Sequence, residues 1–148
     1  MNSLFDPAAH VELERRVALV NTDARALWGK FSPQGMLAHL AHSARMALGD
    51  LHVPLIPRPT VVRKLIKFML FHVLPFPKGA PTARELLTKD DTPLELLRDE
   101  VIALMRRIVN GPRTGMGPAH PLFGPLTYEE WARLAWLHTD HHLRQFGV

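Results

Sequence analysis

The stretch TYEEWARLAWLHTDHHLRQF, residues 127–146, decides how this chain folds and where its chemistry sits. Thr127 followed three places later by Glu130 is a capping-box pattern, in which hydroxyl and carboxylate each satisfy a backbone N–H of the first turn. The pattern opens a helix predicted over residues 128 to about 146. Take His138 as 0° on that helix. At about 100° per residue, Trp131 falls near ~20°, Leu134 near ~−40°, His142 near ~40°, Gln145 near ~−20° and His141 near ~−60°. His138 and His142 therefore share the apolar face of Trp131 and Leu134, which should look inward. His141 sits on its flank, and Asp140 and Arg144 are expected to point to solvent.

Working outward, the same periodicity recurs. Asp6 as cap and Pro7 in the first turn start a helix expected over residues 5–28, with Leu13, Val17, Val20, Ala24 and Leu27 as its stripe. Gly29 breaks it, Ser32 caps a second helix, Pro33 opens it and Gly49 ends it. There Met36, His39, Ser43 and Met46 share a face, with Leu40 beside them and His42 on the flank. LHVPLIPRP (51–59) carries three prolines and reads as extended or looped. TVVRKLIKFMLFHVL (60–74) is a short apolar helix bearing Arg63, Lys64 and Lys67, and 75–91 is irregular. TPLE, at Thr92 to Glu95, is a second capping-box pattern. It opens a long helix with Leu97, Val101, Leu104 and Ile108 on one stripe. Residues 110–125 read as loop, and no β-type alternation is evident. Four long amphipathic helices with a short helix in a crossover predict an all-α fold, a four-helix bundle formed by one domain over residues 1–148.

The chain has 148 residues, 47% hydrophobic and 22% charged, with a formal net charge of +4. That balance is ordinary for a globular chain, and the excess charge is too dispersed to argue for nucleic acid. With no cysteine, disulfides, thiolate metal sites and cysteine nucleophiles are excluded. Neither a signal peptide nor a membrane-spanning helix is expected, and a cytoplasmic location fits. No serine–histidine–acid triad or glycine-rich phosphate loop is found.

Buried histidines need partners for their nitrogens, and each unsatisfied group costs about 1–3 kcal/mol. A divalent metal resolves the difficulty. Histidines at i and i+4 can converge on one ion, and His39 from the facing helix completes a three-histidine site that leaves positions open for a reactant. Gln145 could support an imidazole or simply be a polar helix end. His141 could shuttle protons or be a spare ligand, or simply be exposed. His10 and Asp23 could approach the pocket. Trp131, Trp136 and the six methionines read as core packing.

GKFSPQGMLAHLAHSARMALG (29–49) and EEWARLAWLHTDHHLRQFG (129–147), with HVLPFPKGAPTA (72–83) between them, resemble the DinB/YfiT-like metalloenzyme superfamily, in an uncharacterised branch. The resemblance implies a four-helix bundle holding one divalent metal through His39, His138 and His142; zinc or nickel is the ion expected of such an imidazole set. Where relatives often carry an acidic residue, this chain has His42, so His42, His141 and Gln145 are candidates to support the ligands from outside. Members of the superfamily include metal-dependent transferases that use low-molecular-weight thiols.

The expected function is thus a metal-dependent enzyme, a thiol-dependent S-transferase or hydrolase, acting on a small-molecule substrate. The alternative is a non-catalytic metal- or ligand-binding bundle. Neither nucleic acid nor membrane is an expected partner, although the basic apolar segment 60–77 could lie on an anionic membrane, tuck against the bundle, or form a homodimer surface.

Overall fold

The computed structural model describes residues 2–73, 76, 78 and 92–148. Helix α1 spans Pro7–Leu19, α2 Pro33–Leu48, α3 Thr60–His72, α4 Leu94–Val109 and α5 Tyr128–Gln145. Strands β1 (Met116–His120) and β2 (Gly124–Thr127) lie between α4 and α5. The stretch expected to be irregular, 75–91, lies outside the described residues apart from Phe76 and Lys78, as does most of the 72–83 segment.

Local chemistry sets four of the helix ends. Asp6 Oδ1 accepts from the Ala8 N–H at 3.0 Å, and Ser32 Oγ accepts from Gly35 at 3.0 Å. Gly49, at φ 82°, closes α2 in the left-handed conformation that glycine adopts without strain. The capping box of α5 is complete: Thr127 Oγ1 accepts from the Glu130 N–H at 3.1 Å, and Glu130 Oε2 accepts from the Thr127 N–H at 3.0 Å.

Two helix starts and stops differ from expectation. α1 ends at Leu19 rather than near Trp28. Asn21 Oδ1 accepts from the Asp23 N–H at 3.0 Å, a local bond that competes with helical pairing. Val20 is still fully buried, from extended backbone, whereas Leu27 is 69% exposed and belongs to no stripe. α4 begins at Leu94 with Pro93 as its cap, at ψ 138°, and the cap has no side-chain hydrogen bond. The expected Thr92–Glu95 box is not what starts it.

The helices α1 and α2 each pack on both α4 and α5, so the four contacts close a ring. Leu13 and Val17 from α1, Met36 and Leu37 from α2, Leu97, Val101 and Met105 from α4, and Leu143 from α5 are fully buried inside it. Burying each such side chain stabilises the fold by about 1.5–3 kcal/mol.

The purely all-α expectation is corrected by β1 and β2. They pair antiparallel, with Met116 opposite Thr127 and His120 opposite Gly124, and the register shifts between Met116 and Ala119. Glycines and prolines hid these short strands, because they erase period-two alternation. The hairpin lies against α2 and the start of α5. Trp131 Nε1 donates to the Pro118 carbonyl at 2.8 Å. A Cβ on Gly117 would stand 2.8 Å from the Trp131 ring, so only glycine permits this approach. The extended 51–59 segment is tied to the hairpin turn through the Ile56 N–H and the Pro121 carbonyl, 2.9 Å apart.

Candidate metal centre

His39 is held on the inner face of α2, and His138 and His142 one turn apart on α5. Their side chains meet in the interior. His138 Nε2 lies 3.0 Å from His39 Nε2 and 3.1 Å from His142 Nε2. His39 and His142 are buried, and His138 is partly buried. Phe31 stacks on the His39 ring at 5.3 Å and meets the edge of His142 at 5.6 Å.

The tautomer of His142 follows from its neighbours. Gln145 Nε2 donates to the Trp28 carbonyl at 2.6 Å, and a carbonyl can only accept. The amide oxygen of Gln145 must therefore face His142, whose Nδ1 donates to it at 2.8 Å. A neutral imidazole protonated at Nδ1 has a bare lone pair at Nε2. Gly29 makes room for the relay: at φ 79°, its Cβ would stand 2.6 Å from Gln145 Nε2.

The cluster fits a cation better than it fits itself. A ring nitrogen has one in-plane direction, filled by a proton or by a lone pair. His138 Nε2 cannot make a good hydrogen bond to both neighbours at once. A cation between the three nitrogens would satisfy all of them. Ligand nitrogens ~2.0–2.1 Å from one ion are themselves separated by about 3–3.4 Å. Burial pushes His138 well below the ordinary histidine value, helped by His142 and His39. Burial and then the nearby His39 push His142 down to about 3. Both imidazoles are thus neutral at physiological pH, which is the ligating form.

Other candidate residues are placed elsewhere. Gln145 supports an imidazole. His141 lines the same cavity but stands outside the three-nitrogen cluster, 5.1 Å from the His142 ring centroid and 5.8 Å from that of Trp28. Burial lowers its pKa, opposed by Asp140. His42 does not reach the cluster or the cavity wall, and among the described residues its buried Nδ1 has no hydrogen-bond partner. His10 pairs with Glu14 at 3.1 Å on α1, and Asp23 is exposed; neither lines the cavity. Asp140, expected in solvent, is only 8% exposed and is held by Arg16 at 2.7 Å. Arg144 is exposed as expected.

The cavity beside the histidines has a volume of about 680 Å³ and mostly apolar walls drawn from α2, α4, α5, α3 and the hairpin. One of its residues, His120, was not singled out in the sequence, since a histidine in a glycine- and proline-rich stretch carries no periodic signal. Its ring stacks on Phe123 at 4.4 Å and lies 5.3 Å from Trp131. Its Nδ1 accepts from the Leu122 and Phe123 N–H groups at 3.1 and 3.3 Å. The proton is therefore on Nε2, and burial lowers its pKa to about 4.

Residues 8–147 match the family described as Protein of unknown function (DUF1569), and the chain belongs to that family. No curated protein and no solved structure matches it.

Proposed function

We propose that this DUF1569 member binds one divalent cation through His39, His138 and His142 and is a metal-dependent enzyme acting on a small molecule. The observation that carries the reading is the meeting of three imidazole nitrogens from two helices at a point where His138 Nε2 cannot pair well with both of its neighbours. Among the described residues only three side chains form the group, so a held ion would keep positions for a reactant. That favours an enzyme over a purely structural metal site. The resemblance to DinB/YfiT-like bundles supports a four-helix bundle and a thiol-dependent S-transfer or a hydrolysis; the imidazole ligands suit zinc or nickel, and we take the setting to be cytoplasmic.

Each residue has a defined task in this reading. Gln145 keeps the His142 lone pair aimed at the cluster, and Phe31 fixes the plane of His39. The bound ion would act as a Lewis acid and lower the pKa of a water or thiol reaching it. The apolar walls exclude bulk water and so strengthen electrostatic interactions inside. His120 Nε2–H is a neutral donor available to an acceptor on the substrate.

Metal analysis of untagged protein tests the proposal. Wild type should carry close to one equivalent of transition metal, and His39→Ala and His142→Ala should carry almost none. Equal metal content in all three would reject the site. A turnover screen pairing thiols with electrophilic acceptors, on metal-loaded protein, then separates enzyme from binding module.

A further inference from the structure

Among the described residues the charge lining the cavity is one-sided. Its lining includes two formally charged side chains among the described residues, Lys30 and Arg58, and no carboxylate. Lys30 belongs to the loop between α1 and α2, and Arg58 to the extended segment before α3. Both are exposed although both line the cavity, which places them at its rim. Neither is hydrogen-bonded or ion-paired to another described residue. Lys78, whose ammonium lies 4.3 Å above the Trp28 ring, adds a third positive charge near the same wall. Below the rim the walls are apolar side chains such as Ile66, Leu70 and Met105.

An uncharged ligand would gain nothing from two cations at the rim of an apolar hollow, and a cationic ligand would be repelled. A small hydrophilic anion would leave the apolar walls uncovered. We propose that the cavity takes an amphipathic anion: an apolar body inside, toward the histidines, and a carboxylate, sulfonate or phosphate group at the rim, where Lys30 and Arg58 stand. This names the substrate class for the site proposed above and rests on that cavity being the substrate site. It does not require the metal to be bound.

Two fluorescent probes with one ring system test it. 8-Anilinonaphthalene-1-sulfonate carries the anion, and N-phenyl-1-naphthylamine lacks it. Titrations use the full chain as wild type, as Lys30→Gln/Arg58→Gln and as the cavity-filling Ala135→Phe. The wild type should prefer the sulfonate by roughly 5- to 10-fold at low salt, since each exposed pair contributes modestly. The preference should shrink as ionic strength rises, because rim charges are screened. The double glutamine variant should lose the preference and keep its affinity for the neutral probe. Ala135→Phe should weaken both probes.

Equal affinities in wild type would overturn the proposal, and so would a preference that survives the double substitution. Unchanged binding to Ala135→Phe, by a protein with the wild-type circular dichroism spectrum, would place the probes elsewhere and also refute it. The same titration on His39→Ala keeps the two proposals apart. Lost metal content with intact charge preference is the expected result. Wild type that carries metal without the preference fails this inference alone, and wild type with the preference but no metal fails the metal reading alone.

Discussion

Replacing Gln145 by leucine removes two hydrogen bonds from a side chain that is only 4% exposed. The Trp28 carbonyl loses its donor, 2.6 Å away, and the His142 Nδ1–H loses its acceptor at 2.8 Å. Leucine fills a similar volume, so the cost comes from the two groups left unpaired, at ~1–3 kcal/mol each. A loss of about 2–6 kcal/mol in unfolding free energy is expected, read from urea melts of the metal-free protein. The second effect is on tautomer. Without the amide oxygen nothing holds the proton on Nδ1, and a proton on Nε2 blocks the cluster. Metal affinity, measured by competition with a chelator, should fall by roughly 10- to 100-fold, as is usual when a ligand histidine loses its supporting partner. Gln145→Glu separates the effects. A carboxylate still accepts from His142, but it cannot donate to Trp28. Stability should drop while metal affinity holds. A leucine variant that binds metal as wild type does would refute the tautomer argument, whatever its stability.

Thr127→Ala removes one half of the capping box that starts α5, and should cost about 0.5–2 kcal/mol in a urea melt without altering the metal content. An unchanged midpoint would show that the hairpin alone sets the start of α5. The buried His120 makes stability depend on pH. Its folded pKa is lowered to about 4, against 6.5 in its ordinary state, so between those values the unfolded chain binds a proton that the folded chain refuses. The contribution is complete above pH 6.5 and is lost as pH falls toward 4. At ~pH 5 the deficit from this one group is roughly 2 kcal/mol. His120→Asn keeps an acceptor for the Leu122 and Phe123 N–H groups and removes the titration. Between pH 7 and 5 its metal-free form should lose less stability than wild type by that amount. Parallel losses in the two proteins would mean His120 titrates normally.

The features legible in the sequence are those written at short range. Ser32, Gly49 and the Thr127–Glu130 pair are local devices whose partners lie within four residues, and each acts where it was expected. The inward face of α5 was legible for the same reason, since the positions of Trp131, Leu134, His138 and His142 follow from helical rotation alone. Local signals also misled where two compete. The stripe through Val20, Ala24 and Leu27 keeps helical spacing, but the Asn21 side chain offers its own backbone a turn, and the helix stops. β1 and β2 were invisible because Gly117, Pro118, Pro121, Gly124 and Pro125 suppress alternation. What holds the hairpin is tertiary, namely the Trp131 bond to Pro118 and the Ile56 bond to Pro121.

Asp140 shows why a helical wheel predicts chemistry better than exposure. It lies on the side of α5 opposite His138, and on an isolated helix that side would be wet. α5 packs against both α1 and α2, so two of its faces are covered. Arg16 of α1 reaches across to Asp140 and also donates to the Val148 carbonyl at 2.7 Å, closing the end of the chain over the carboxylate. A second cation, Arg144, pairs with the other carboxylate oxygen, its Nε 2.9 Å away. Removing one partner of so buried a pair leaves an uncompensated charge, which costs far more than the intact pair contributes. The ion pair ties α1 to the side of α5 opposite His138, while His138 and His142 meet His39 on the other side. Angles along one helix can state which residues share a direction. Only the neighbouring helices determine whether that direction leads to water, to a salt bridge or to a cluster of histidines.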